Sequence, residues 1–306
     1  MPARPTGSSA DVPPPRRPSL GRAASGRRVP AWLLVLGAIF SVQMGSALTV
    51  TLIDEVGPAG AAWLRLSAGA LFFVLLSPPK LRTLRRADLP LLLGLGLSTG
   101  LMTTCFLASA ARLPLGTAVA IEFLGPLGVA AWRAIRGVGA RALLWPALAL
   151  AGVLLLQEPW RASVDALGVL LALAAAAGWA GYIVLTQRVG DRYTGLSGLA
   201  LTVPIAAAVA AVPGVGQALP GLTWTVVWQS LGIALLVPLV PFVLELVALR
   251  RMNTLAFGTF MALEPAVAAL AGAVVLQQIP GPVPLVGMAF VVVAGVGSQR
   301  LAAREA

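Results

Sequence analysis

Gly116-Thr117-Ala118-Val119-Ala120-Ile121-Glu122-Phe123-Leu124-Gly125-Pro126 is an apolar run, too long for a strand, with a carboxylate at its centre. It has an echo 142 positions later in Gly258-Thr259-Phe260-Met261-Ala262-Leu263-Glu264-Pro265. Each copy reads Gly-Thr, two variable residues, Ala, Ile or Leu, then Glu, with a proline at or soon after the Glu. One Glu in an apolar run is easily an accident. The same Glu twice in the same setting points to a duplicated unit.

The surroundings of both copies are those of a membrane protein. Of the 306 residues 58% are hydrophobic and only 11% charged, and the mean hydropathy is +0.90. A soluble domain carries about 25% charged and about 45–50% apolar residues. One Cys and no His rule out a disulfide framework and argue against a Cys/His metal site, so neither a metal nor a cofactor is expected. The missing His also means that a proton carrier inside the bilayer must be a carboxylate or relayed water.

A bilayer-spanning helix needs roughly 20 apolar residues. Segments of that kind run at 31–53, 58–77, 89–110, 114–132, 141–157, 166–186, 195–213, 226–248, 254–276 and 282–300. The fold class expected is therefore an all-α membrane protein of ten transmembrane helices. Residues 1–30, with six Arg, several Pro and Ser and no apolar periodicity, read as a disordered basic tail. A signal peptide is the rival reading. The apolar run that follows, Ala31 to about Ile53, outlasts the roughly 7–15 residues of a signal h-region, so an uncleaved first span is expected.

Charge placement sets the orientation. With the N-terminus cytoplasmic, the inside segments hold 19 Lys and Arg, leaving Arg112 and Arg161 outside and Arg65 within a span. Cytoplasmic enrichment in Lys and Arg is the known orientation signal, so both termini are expected inside. The same distribution, basic residues in tails and loops between apolar runs, argues against nucleic-acid binding despite a net charge of +11. Glu122 then falls on span four and Glu264 on span nine, so that 31–157 and 165–300 read as two five-helix repeats. Five is odd, so the second is inserted upside down relative to the first. Inverted repeats of this kind build transporters with the site near the midplane.

An ionisable residue at that depth costs about 2.5–3.5 kcal/mol on insertion scales and normally faces the bundle interior or a wet cavity. Glu122 and Glu264 are the first candidates for proton coupling or substrate binding, against a structural reading as neutral acids bonded to a neighbouring helix. Pro126 removes a donor to the carbonyl of Glu122, and Pro265 one to that of Met261. Each is read as a kink or as the source of a free carbonyl beside the carboxylate, and Pro241 as a further kink. Glu245, late in span eight, pairs with Arg250 or Arg251 as an anchor near the inner face or contributes to the site. Arg65, about two turns into span two, snorkels outward or turns inward to balance Glu122 or hold a carboxylate. Gln43 on span one is a candidate cavity donor. In span six, Trp179, Tyr182 and Gln187 are candidates, with packing and anchoring as the ordinary alternative.

These residues carry a family likeness. The ten-span layout, the doubled Gly-x-x-x-x-x-Glu pattern and Arg65-Leu66-x-x-Gly69 resemble the EamA family of the drug/metabolite transporter superfamily. Within it the chain looks most like the bacterial threonine/homoserine exporters. Pro114 through Pro126, Ser41-x-Gln43, Gly178-Trp179-Ala180-x-Tyr182 with Gln187-Arg188, Pro241-x-x-x-Glu245 and Phe257 through Ala266 all match. The likeness covers residues 31 to about 300. Two departures stand out. Met102-Thr103-Thr104-Cys105-Phe106-Leu107 replaces the family's usual Asn and aromatic residues, and Gln278 replaces a common Glu. They bear on the substrate and leave the architecture intact.

The resemblance implies a multi-pass protein of the bacterial inner membrane. It implies export of small amino acids such as threonine or homoserine, driven by proton exchange. A permease for another small metabolite or an amphipathic drug is the alternative within the same frame. An intramembrane enzyme commonly needs paired Asp, Ser with His, or a metal. All five Asp lie outside the spans, and the chain is not read as an enzyme. The partners expected are a small-molecule substrate and the lipid bilayer.

Overall fold

The computed structural model describes residues 29–79, 84–129, 132, 143–157, 165–190, 192–193, 196–249, 251–252, 257 and 260–303. The chain divides into Met1–Pro30 and Ala31–Ala306, and the architecture below is that of the second. Among the described residues every regular element is helical. Hydrocarbon offers the backbone no partners, so an apolar chain of this kind must satisfy its N–H and C=O groups within each segment.

In chain order the described α-helices of eight residues or more are α1 (Ala31–Thr51), α2 (Pro58–Leu76), α3 (Leu89–Ala110), α4 (Leu115–Glu122), α5 (Leu144–Gln157), α6 (Ala166–Gly190), α7 (Ser197–Ala218), α8 (Trp224–Ala234), α9 (Val240–Leu249), α10 (Glu264–Val275) and α11 (Pro282–Ala303). Among the described residues, six stretches are long and apolar enough to cross a bilayer: α1, α2, α3 with its preceding turn, α6, α7, and α8 running on into α9. The other four apolar stretches, Leu115–Val129, Leu144–Leu156, Glu264–Val275 and Pro282–Gly297, are shorter.

The bundle is apolar on its outside and small-grained within. Leu75, Leu97, Leu154, Leu170, Val212 and Trp228 are exposed, a surface that water would not tolerate over this extent and that lipid covers. The interior is dominated by Ala and Gly, which let helix backbones approach where lipid tails are as apolar as Leu. Gly152 on α5 and Gly287 on α11 face one another. A Cβ on either would stand 2.5 or 2.6 Å from the other's carbonyl oxygen, so only glycine fits at both.

Helix neighbours follow from this packing. The helix α2 lies on α7, α3 on α6 and α7, α5 on α11, and α4 on both α10 and α6. The helix α1 packs against α9 and α10. The α3–α6 pair is tied at both ends. At one end Arg192 and the Tyr193 hydroxyl both donate to Asp88, the latter at 3.1 Å. At the other, Arg112 pairs with Asp165 at 3.0 Å, and Asp165 accepts the Gly168 amide at 2.7 Å. That amide, with the Arg112 guanidinium second, holds the Asp165 carboxyl below its ordinary range. Arg112 is exposed and Asp165 partly so, and the pair contributes little to stability.

The stretch Trp224–Glu245, expected as span eight, is broken. Between α8 and α9 the chain passes through a wide turn, Leu235–Leu239, in which Val237 leaves the helical region at φ −145°, ψ 110°. Ser41 on α1 donates to the Leu236 carbonyl at 2.9 Å, satisfying an acceptor that the break releases. The break therefore falls at Val237 and Pro238, not at the kink position expected from sequence, Pro241. Pro241 sits in the first turn of α9, where a missing N–H has no helical bond to lose.

Candidate functional site

The two echoed glutamates arrive at the same place from opposite helix ends. Glu122 is the last residue of α4, after which Phe123 interrupts the regular helix. Glu264 is the first residue of α10, with Pro265 in that helix's opening turn. Pro126 lies in the stretch that carries α4's direction on to Val129. Gly258 and Thr259 of the second copy, and Arg250, lie outside the described residues. The helices α4 and α10 pack on one another, and Gly116 lets them meet, since a Cβ there would stand 2.9 Å from the Ala269 side chain.

A cavity of about 290 Å³ opens inside this packing, and its wall includes Glu122, Glu264, Arg65, Glu245, Gln43 and Tyr182. These six candidates thus border one chamber, although they come from six different helices. Glu122 is 8% exposed, Glu264 4% and Gln43 2%. Arg65 is half-buried, turned inward rather than snorkelling. It lies within electrostatic range of Glu122, and its Nη1 is buried without a hydrogen-bond partner. Glu264 feels the charges of both Glu245 and Glu122. Glu245 borders the chamber.

Among the described lining residues Arg65 is the one cation against three carboxyls. Three like charges in a low-dielectric chamber are held cheaply only with protons or a cation aboard. The rest of the wall is mixed. Met102, Thr103 and Phe106 of α3 border the chamber, so the segment that departs from the family pattern is one that meets the contents. Trp179 is held edge-on to Phe123, centroids 6.1 Å apart, and Phe242 likewise to Phe73 at 6.1 Å. Gln187 is exposed and is not in this wall.

Thr99 and Thr202 also line the chamber, and nothing in the sequence singled them out. Each hydroxyl bonds its own helix, Thr99 to Leu95 O at 2.8 Å and Thr202 to Gly198 O at 2.9 Å. A threonine so satisfied is ordinary in a membrane helix. Among the described residues no cluster of His, Cys, Asp and Glu is arranged to hold a metal ion.

Gln278 has a defined task. Its Oε1 accepts the Leu115 amide at 2.9 Å, so it caps the start of α4, the helix that carries Glu122. An amide does this as well as the family's usual Glu, because the orphan N–H needs only an acceptor. Gln278→Ala is expected to lower stability by about 1 kcal/mol, and Gln278→Glu to retain it, the carboxylate also suiting a helix N-terminus. Thermal unfolding in detergent micelles checks both.

A helical membrane bundle with a chamber lined by charged side chains in its interior is the architecture of a transporter. The sequence comparisons agree. The EamA-like transporter family matches residues 166–297. The threonine/homoserine exporter RhtA of Escherichia coli K12 is 37% identical over 286 residues, 91% of this chain and 95% of that protein. The protein of the same name from Salmonella typhimurium LT2 is 36% identical over 288 residues, 92% of this chain and 96% of that protein. A solved crystal structure of another protein, 20% identical, shares the fold at a TM-score of 0.56 over 90% of this chain and 98% of that one. The chain belongs to the EamA-like transporter family, and it is a multi-pass protein of the bacterial inner membrane.

Proposed function

We propose that this protein exports small amino acids of the threonine and homoserine kind by exchange against protons, through alternating access of two inverted five-helix repeats. The observation that carries the reading is the gathering of Arg65 with Glu122, Glu245 and Glu264 around one chamber. A zwitterion needs a cation for its carboxylate and an anion for its ammonium, and these groups offer both. The chamber's volume of about 290 Å³ is at the lower edge of the roughly 300–1,000 Å³ that pockets for drug-sized ligands occupy, which favours a small solute. Identity to proteins named as threonine/homoserine exporters points the same way.

The helix neighbours support the repeat. Under an exchange of span one with six, two with seven and so on, the contact of α3 with α6 is answered by that of span eight with α1. That of α1 with α10 is answered by that of α6 with α4, while α2–α7, α4–α10 and α5–α11 map onto themselves. The stretch matched by the family, 166–297, is nearly the second repeat, 165–300. The asymmetry in Lys and Arg puts both termini in the cytoplasm.

In this reading Glu122 and Glu264 take turns between a proton and the substrate ammonium. Substrate loaded from the cytoplasm displaces protons from the carboxyls. After the chamber reopens outward, protons entering from outside displace the substrate. Proteoliposomes with an imposed pH gradient are expected to move threonine and homoserine against their concentration. Failure to move either, with the purified protein folded, removes this substrate class. The apolar part of the wall, Phe73, Phe106, Trp179 and Phe242, favours a second reading, a permease for an amphipathic metabolite, which a broad efflux panel separates from the first.

A further inference from the structure

We infer that Gln43 is the residue that selects for a hydroxyl on the substrate side chain, an inference that rests on the amino-acid reading of the chamber. Gln43 is 2% exposed, borders the chamber, and its Oε1 is buried with no hydrogen-bond partner in the protein. A buried carbonyl oxygen left unmade is costly, so the occupant that fits best brings it a donor. Among the described lining residues Gln43 is the one side-chain amide. Of the lining hydroxyls, which also include Ser46, Thr103 and Tyr182, those of Thr99 and Thr202 already spend their protons on their own helices.

The donor that Gln43 takes follows by elimination within the zwitterion. The substrate carboxylate has no proton to give and goes to Arg65, whose Nη1 is itself unpartnered. The ammonium goes to the carboxyls, because a charge-assisted hydrogen bond is roughly twice as strong as a neutral one and three carboxyls border the chamber. The donor that remains is on the side chain. A neutral acceptor matches a neutral O–H, so a hydroxy amino acid completes the set and an aliphatic one of the same shape leaves Oε1 bare. Threonine and valine test this directly, since they differ by a hydroxyl against a methyl. Homoserine and norvaline form a second pair.

A site built to bond a substrate hydroxyl rejects the analogue lacking it far more strongly than an apolar pocket rejects an added hydroxyl. Wild-type protein in proteoliposomes is expected to prefer threonine over valine by at least about tenfold in kcat/KM. In Gln43→Leu, similar in size and without the acceptor, the ratio falls toward one, chiefly through a higher KM for threonine. Gln43→Asn keeps part of the preference. A readout independent of transport is the unfolding midpoint, which threonine raises more than valine in the wild type and equally in Gln43→Leu.

Two results overturn the inference: a Gln43→Leu protein that keeps the wild-type ratio, or one that loses threonine and valine in equal measure. If the folded wild type moves neither threonine nor homoserine, the amino-acid reading itself has failed, and a surviving threonine-over-valine shift in midpoint would show that Gln43 still reads hydroxyls. Absence of that shift removes both.

Discussion

Glu122→Gln and Glu264→Gln are each expected to abolish proton-driven export while leaving the protein inserted and folded. The substitution keeps side-chain volume and hydrogen-bonding capacity and removes only the ability to ionise. Placing an amide rather than an acid in the membrane lowers the cost of that position, so loss of activity cannot be assigned to failed insertion. The two variants differ in their electrostatics. Glu122→Gln leaves Arg65 without the carboxylate that faces it electrostatically, whereas Glu264→Gln relieves the crowding of Glu264 by Glu122 and Glu245. Substrate is therefore expected to bind Glu264→Gln more weakly through its ammonium, and Glu122→Gln more tightly through its carboxylate. Uphill export under a pH gradient, measured beside substrate-induced shifts in unfolding midpoint, reads coupling and binding separately. Normal export with normal pH dependence in both variants would remove the proton assignment.

Those two acids were legible because an ionisable group in a long apolar run is expensive and a repeated expense marks purpose. Arg65 was legible for the same reason, and its inward direction was not, since an arginine two turns into a span can also reach the interface. Periodicity alone could not say which helices would border the chamber. Thr202 sits on α7 in a run of Ala, Val and Leu that reads as plain packing, and its hydroxyl is satisfied within the helix. The break in span eight was also illegible in position. Pro238 and Pro241 both interrupt the same apolar run, and the chain yields at the first. There Gly45 and Gly69 leave room: a Cβ on Gly45 would stand 2.5 Å from Val237 Cγ2, and one on Gly69 3.1 Å from Pro238 Cδ. The room for it comes from Gly45 on α1 and Gly69 on α2, 192 residues before Val237 and 169 before Pro238 in sequence.

Arg65→Gln is expected to weaken substrate binding by roughly 2–5 kcal/mol, about 30-fold or more in Kd. Arg65 is the one cation among the described lining residues, and its removal strips the substrate carboxylate of its partner while leaving three carboxyls without a counter-charge. Arg65→Lys restores the charge without the planar two-pronged donor set, so part of the affinity returns. A purely structural arginine, present only to neutralise Glu122, predicts the same losses, and the double variant Arg65→Gln/Glu122→Gln separates the two roles. It removes both members of the pair and leaves no uncompensated partner. Breaking a buried pair costs far more than deleting it whole, so the double variant is expected to unfold at close to the wild-type temperature. If Arg65 were only a counter-charge, the double variant would bind substrate as tightly as Glu122→Gln alone. If it holds the substrate carboxylate, stability returns while affinity falls well below that of Glu122→Gln, and that split between unfolding midpoint and Kd is the expected result.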